Sequence, residues 1–252
     1  MKTSFSLFLA FFNLLHSSHA DLGFQIGIGS PILNDDQLNC ISNKDNLYLI
    51  VPAYDPSGQV DSNGIQTLTN TFDLEGLGVY PYITPCFSNC QNGLISATDQ
   101  IHSALDAIVG IGGSIEFGYI NVGSSQPWPS DQKKNQQFII DMFIAAAKSP
   151  YYFSFGIMTS YSSWSTIVGM NFNLSSIPGS GFNITTSDLL WVNWNGVQPS
   201  IHQFAGGITS DSCVPGVNVA YNFFPNDGFK KINQNKEAKS KIHRNKRRGK
   251  SH

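Results

Sequence analysis

The run from Leu47 to Tyr54, Leu-Tyr-Leu-Ile-Val-Pro-Ala-Tyr, decides the fold class. It is apolar at almost every position and lacks the alternation of a strand with one wet face. That pattern belongs to a strand buried on both faces, as in a parallel sheet sheathed by helices. Asp55-Pro56-Ser57-Gly58 follows at once and supplies a turn. Ile65, Leu68, Phe72 and Leu74 then recur near helical spacing, with Gly76 and Gly78 as stop signals.

The same unit repeats on either side. Upstream, Phe24 to Ile28 is a short apolar run that breaks at Gly29-Ser30-Pro31. Downstream, Gly78 to Thr84, Ser114 to Val122 and Tyr152 to Thr159 read as strands. Between them, Leu94 to Val109 and Asp131 to Lys148 have helical periodicity, the second with an acidic start. After that the helices shrink, and Trp191 to Trp194, Ser200 to Phe204 and Val217 to Phe224 are strand candidates joined by loops. Strand–helix repeats imply a parallel sheet with right-handed crossovers. Eight candidate strands predict an α/β fold: a single TIM-like modified (β/α) barrel with reduced C-terminal helices. An open doubly wound sheet is the alternative. No GxGxxG follows the first strand, which argues against a dinucleotide-binding version, and no cofactor is expected.

Charge divides the 252 residues into a body and a tail. Residues 21–228 carry 4 Lys and no Arg against 16 Asp/Glu, a net of −12. Residues 229–252 carry 10 Lys/Arg against one Glu, a net of +9. The overall charged fraction of 13% excludes a charge-rich disordered chain or a coiled coil. The tail has no usable periodicity and reads as disordered and solvated. Beyond solubility, its charge suits an anionic surface, with nucleic acid a weaker prospect.

Residues 1–20 read as a secretory signal peptide: Lys2, an apolar stretch from Phe5 to Leu15, and small residues at Ser18 and Ala20. That stretch is too short to span a bilayer, and no later segment is long enough, so no membrane span is expected. The expected location is extracellular. Four cysteines suit an oxidising compartment, and Asn173 and Asn183 stand in glycosylation sequons.

Seven segments in order resemble glycoside hydrolase family 25, the Chalaropsis-type lysozymes, and specifically its nematode-type branch. They are VPAYDPSGQVDSNGI (51–65), YPYITPCFSNC (80–90), YINVGSSQPW (119–128), FGIMTSYSSWSTI (155–167), DLLWVNW (188–194), IHQFAGG (201–207) and CVPGVNVAYNFF (213–224). The resemblance implies a modified barrel and a cleft that acts on the glycan of peptidoglycan. Such hydrolysis needs one protonated and one ionised carboxyl group at the strand ends. The family takes two of its acids from Asp-x-Glu on the fourth strand, where i and i+2 share a face about 6.5–7 Å apart. The matching positions here are Asn121 and Gly123, anchored by Trp128. The family's acid near the end of the first strand matches Gly27, and the one near the last strand matches Asn218. No catalytic residue is therefore assigned. Glu116 lies about 16 Å back along the barrel from Asn121 and cannot substitute. Asp55 and Asp188 could stand near the cleft, but no acid pair emerges.

Tyr54, Tyr119, Trp128, Tyr161 and Trp191 fall at or just after strand ends, where barrel sites form, and flat rings stack on sugars. They are the candidate ligand-binding residues, together with Gln203, which matches a polar family position; ordinary core and lid packing is the competing role. His102 and His202 have no metal-ligand partner at useful spacing, so no metal site is expected.

Four cysteines permit three pairings. Cys40 lies late in the first helical segment and Cys213 just before the last strand, both placed at the bottom of the barrel, where strand eight neighbours strand one. Cys86 and Cys90 share one short loop at the top. The expected bonds are Cys40–Cys213 and Cys86–Cys90. Three functions remain open: a secreted defence protein that binds cell-wall glycan without cleaving it, an active muramidase using other acids, and a non-carbohydrate interaction protein.

Overall fold

Eight strands close into a barrel in the order β1 to β8. The computed structural model describes residues 21–224 except 45, 73, 75, 92, 94, 113–114, 125, 152, 173–183, 187–200 and 211. The strands are β1 (Asp21–Ile26), β2 (Asn46–Tyr54), β3 (Gly78–Ile83), β4 (Phe117–Val122), β5 (Ser154–Thr159), β6 (Ile184–Thr186), β7 (Ile201–Thr209) and β8 (Asn218–Phe224). The helices are α1 (Asp35–Asn43), α2 (Ser62–Asn70), α3 (Ala97–Gly110), α4 (Gln132–Lys148) and α5 (Tyr161–Ile167).

Each helix begins on a residue suited to stop its first turn from fraying. Asn34 and Gln37 form a reciprocal capping box before α1. Asp61, Ser96, Asp131 and Ser160 cap α2 to α5 by accepting backbone N–H groups. The strands then sort their side chains by parity. Leu49, Val51, Ala53, Ile83, Ile120, Val122, Phe155 and Ile157 pack outward in one cluster with Leu38, Leu68, Ile101, Leu105, Ile139 and Met142 of the helices. The opposite parity fills the interior with rings. Tyr80 lies 6.0 Å from both Tyr48 and Phe117 and 6.1 Å from Tyr119 between ring centroids.

Two expectations need correction. The sixth strand is Ile184–Thr186, which pairs with β5 and β7; the candidate at Trp191 to Trp194 lies outside the described residues. The last pairing is antiparallel: β7 and β8 form a hairpin with Thr209 opposite Asn218. The connection over 210–217 therefore sits on the same rim as the end of β1, where Gly27 N donates to the Asn218 carbonyl at 3.1 Å. Cys213 is thus in a rim hairpin and not at the bottom of the barrel. Both expected disulfides are present, with Cα separations of 5.4 Å for Cys40–Cys213 and 5.9 Å for Cys86–Cys90. The first ties the hairpin to α1. No helix among the described residues is long and apolar enough to cross a membrane.

Candidate functional site

In a parallel barrel the loops that follow the strands gather at one rim, and sites form there. Gly27, Tyr54, Thr84, Gly123 and Ser160 each stand at or just past the end of a strand on that rim. Asn121 projects from the same face of β4 as Tyr119, two residues earlier. Its Nδ2 donates to Thr84 Oγ1 at 3.2 Å. Asn218 is exposed beside Gly27. A Cβ built on Gly27 would meet only the Asn218 carbonyl, at 3.5 Å, an ordinary contact. A methyl group therefore fits at Gly27.

Below this rim, Tyr82 crosses the interior from β3 to β1 and donates from its hydroxyl to the Ile26 carbonyl at 3.3 Å. Burial holds its pKa far above the ordinary phenol value, and the nearby Asp61 charge adds to the shift. Tyr82 is consequently a fixed donor and not a base.

Asp55 and Asp61 are the carboxylates of the segment that joins β2 to α2, and both accept backbone hydrogen bonds. Asp55 Oδ1 accepts Ser57 N at 2.8 Å and Ser57 Oγ at 2.6 Å. Asp61 is buried; its Oδ1 accepts Gly64 N at 2.8 Å and its Oδ2 accepts Gly29 N at 3.4 Å. Glu116 precedes β4 at the opposite end, where its carbonyl accepts Ser154 N. Asp188 lies outside the described residues. Among the described residues no group of three His, Cys, Asp or Glu could hold a metal ion.

The candidate ligand-binding residues divide by exposure. Tyr54 and Tyr119 are 0% and 1% exposed, so their rings build the wall and present no face to a sugar. Strand-end position does not separate the two roles, because these two rings are buried although they stand at or near strand ends. Tyr54 spends its hydroxyl on the Gly58 carbonyl at 2.9 Å. Trp128 is half-buried, and its Nε1 donates to the Gly123 carbonyl at 3.0 Å and Gln126 Oε1 at 2.8 Å. Tyr161, the first residue of α5, is 42% exposed at the rim. Gln203 is half-buried and donates to the Ala205 carbonyl at 3.4 Å. Trp191, Asn173 and Asn183 lie outside the described residues.

Sequence reasoning missed the residue that organises this rim. Gln126, 5% exposed, accepts Gly123 N at 3.2 Å and Trp128 Nε1, and donates to the Asn121 carbonyl at 3.4 Å. It thereby fixes the end of β4 against the loop that follows. An isolated glutamine carries no periodic or spacing signal, so only the fold reveals it.

The family profile described as lysozyme-like protein 1 (Lys-1) matches residues 18–179. Lysozyme-like protein 5 of Caenorhabditis elegans is 29% identical over 214 residues, 79% of this chain and 90% of that relative. Probable GH family 25 lysozyme 4 of Dictyostelium discoideum is 26% identical over 235 residues, 88% of this chain and 99% of its own length. Among solved structures, the modular autolysin LytC from Streptococcus pneumoniae, in complex with synthetic peptidoglycan ligand, superposes with a TM-score of 0.54 at 16% identity. It covers 82% of this chain and 47% of that one. At such identity the likeness is one of fold, and it agrees with the closed barrel described above. The profile spans well over half of the sequence, so this chain belongs to the lysozyme-like protein 1 family, within the lysozyme-like proteins of glycoside hydrolase family 25.

Proposed function

We propose that this chain is a secreted lysozyme-like protein of innate defence that holds peptidoglycan or a related glycan and does not cleave it by the family's paired-acid route. The observation that carries the reading is Asn121. Its carboxamide occupies the position where the family resemblance puts a carboxyl group, and it is held by Thr84. A carboxamide has no acidic proton near neutral pH and carries no charge to steady an oxocarbenium-like transition state. Gly123 and Gly27 offer no side chain at all, and Asn218 offers a second carboxamide. Asp55 and Asp61, in the segment after β2, each already accept a backbone N–H, from Ser57 and Gly64.

Binding is supported by the retained rim: Asn121, Asn218 and Tyr161 place neutral donors, acceptors and one exposed ring around it. The solved relative LytC is described with a peptidoglycan ligand, which makes the same polymer the first one to test. The basic tail, net +9 over 229–252, supports a second contact with anionic cell-wall surfaces. Export rests on the signal-like residues 1–20, and N-terminal sequencing of protein from the medium should begin at Asp21. The test of binding is co-sedimentation of the mature protein with insoluble peptidoglycan, chitin and cellulose. Retention on peptidoglycan, with cellulose as the blank, is the expected result. Loss of retention on every glycan would favour an interaction protein that uses another surface.

A further inference from the structure

The loop 86–91 touches both neighbouring rim loops, and one short disulfide closes it. Cys86 is clamped from below by Gln100 of α3, whose Oε1 accepts Cys86 N at 2.9 Å and whose Nε2 donates to the Cys86 carbonyl at 2.7 Å. On one side, Gln91 N donates to the Ser57 carbonyl at 2.8 Å, and the Gln59 and Gln91 side chains are hydrogen-bonded. On the other side, the Phe87 ring packs 4.1 Å from Trp128 and 4.8 Å from Phe138 of α4. Trp128 in turn holds the Gly123 carbonyl and Gln126, and Gln126 holds Asn121. A chain of contacts therefore runs from the Cys86–Cys90 ring to Asn121.

The two disulfides differ in what they can stabilise. Loop-closure stabilisation grows with the logarithm of ring size. A bond of sequence separation 4 therefore does less for the whole fold than one of separation 173. The short bond acts locally, in a loop where Phe87 packs on Trp128 and Asn89 stands at φ 55, a conformation uncommon for a residue with a Cβ.

We propose that the Cys86–Cys90 bond is a thiol-sensitive latch on the candidate site, whose reduction frees Phe87 from Trp128, loosens the Gly123–Gln126–Trp128 bracket and weakens glycan binding. The affinity part of this statement rests on the binding role proposed above; the loosening does not. Cys86 is 1% exposed and Cys90 half-buried, so attack falls on Cys90. A thiolate of a small dithiol bonds to Cys90 Sγ, the Sγ–Sγ bond breaks, and its electron pair leaves on Cys86 Sγ, which takes up a proton. The second thiolate of the dithiol then displaces Cys90, which is protonated likewise, and the dithiol closes to a cyclic disulfide. The protein gains two electrons and two protons, and the dithiol loses the same.

The test compares the mature protein with its Cys86→Ala/Cys90→Ala variant, which keeps Cys40–Cys213, by amide hydrogen exchange and by retention on insoluble peptidoglycan. The latch predicts exchange about tenfold faster in 55–60 and 121–128, with β1 and β5 unchanged, and retention about fivefold weaker. Wild-type protein reduced by dithiothreitol and reoxidised should lose and regain the same protection. Exchange in 121–128 that matches wild type overturns the latch. Wild-type protein that fails to bind peptidoglycan overturns the binding role instead, and the exchange data then decide the latch alone. Should the double variant unfold throughout, Phe87→Ala with the bond intact must loosen 121–128 in the same way, and protection unchanged there overturns the latch.

Discussion

Asn121 Nδ2 donates to Thr84 Oγ1 at 3.2 Å, joining the ends of β4 and β3 where the sheet meets the rim. Thr84 is 1% exposed, so its hydroxyl depends on protein partners. Asn121→Ala removes one of them and should cost about 1–2 kcal/mol in denaturant unfolding. Asn121→Asp should cost less, because the Thr84 hydroxyl can turn and donate to the new carboxylate. No loss of stability for Asn121→Ala would mean that this hydrogen bond contributes nothing.

Two glycines of β1 and its exit should respond in opposite ways. A Cβ on Gly23 would lie 1.9 Å from Tyr48 Cζ, inside the ring-filled interior. Gly23→Ala must displace the Tyr48 ring and should cost about 2 kcal/mol. Gly27→Ala meets only a carbonyl at 3.5 Å and should change stability by less than about 0.5 kcal/mol. Thermal melts of the two variants decide this, and a large loss for Gly27→Ala would show that the rim there is filled.

His202 is buried, stacks on Phe223 at 5.3 Å, and its Nδ1 has no hydrogen-bond partner among the described residues. Burial lowers its pKa below the ordinary histidine value. The unfolded chain therefore takes up the proton first as pH falls. The stability that neutral His202 supports is complete above about pH 6.5 and is lost as pH drops from there through the lower folded value. His202→Phe should flatten the difference between unfolding at pH 7.5 and pH 5. A variant with the wild-type pH slope would assign that slope to other groups.

The two disulfides should separate in equilibrium unfolding. Chain-entropy scaling gives about 5 kcal/mol for the Cys40–Cys213 ring and about 2 kcal/mol for the Cys86–Cys90 ring. Paired Cys→Ala variants, measured in urea, should keep that order. The reverse order would mean that local packing around Cys86 outweighs ring size.

Much of the barrel was legible because burial writes itself into continuous apolar runs. Leu47 to Tyr54 and Gly78 to Thr84 fall within a residue of β2 and β3. β6 was not legible: three residues, Ile184–Thr186, are too few to carry a period. The direction of β8 was not legible. The strand candidates Ser200 to Phe204 and Val217 to Phe224 leave twelve residues between them, room for a parallel crossover. Only the extension of β7 to Thr209 shortens the connection to 210–217 and moves Cys213 to the rim, with its pairing to Cys40 intact. At the site, motif spacing located Asn121, Gly123 and Trp128. It could not separate rings that face the rim from rings that fill the wall, as Tyr54 and Tyr119 do. Gln126 and Thr84 gain their roles from contacts made only in the folded chain.

The most direct test is the release of reducing ends from purified peptidoglycan by the mature protein, from about pH 4 to 8 to span plausible carboxyl pKa values, alongside co-sedimentation with the same material. On the proposed reading, a chain without the paired acids forgoes general acid–base help that is typically worth about 10²–10⁴-fold. The predicted result is protein retained on the polymer, with reducing ends no faster than in the protein-free blank. Release at a lysozyme-like rate that persists in the Asn121→Ala/Gly123→Ala variant would contradict this account and place a working acid elsewhere in the cleft.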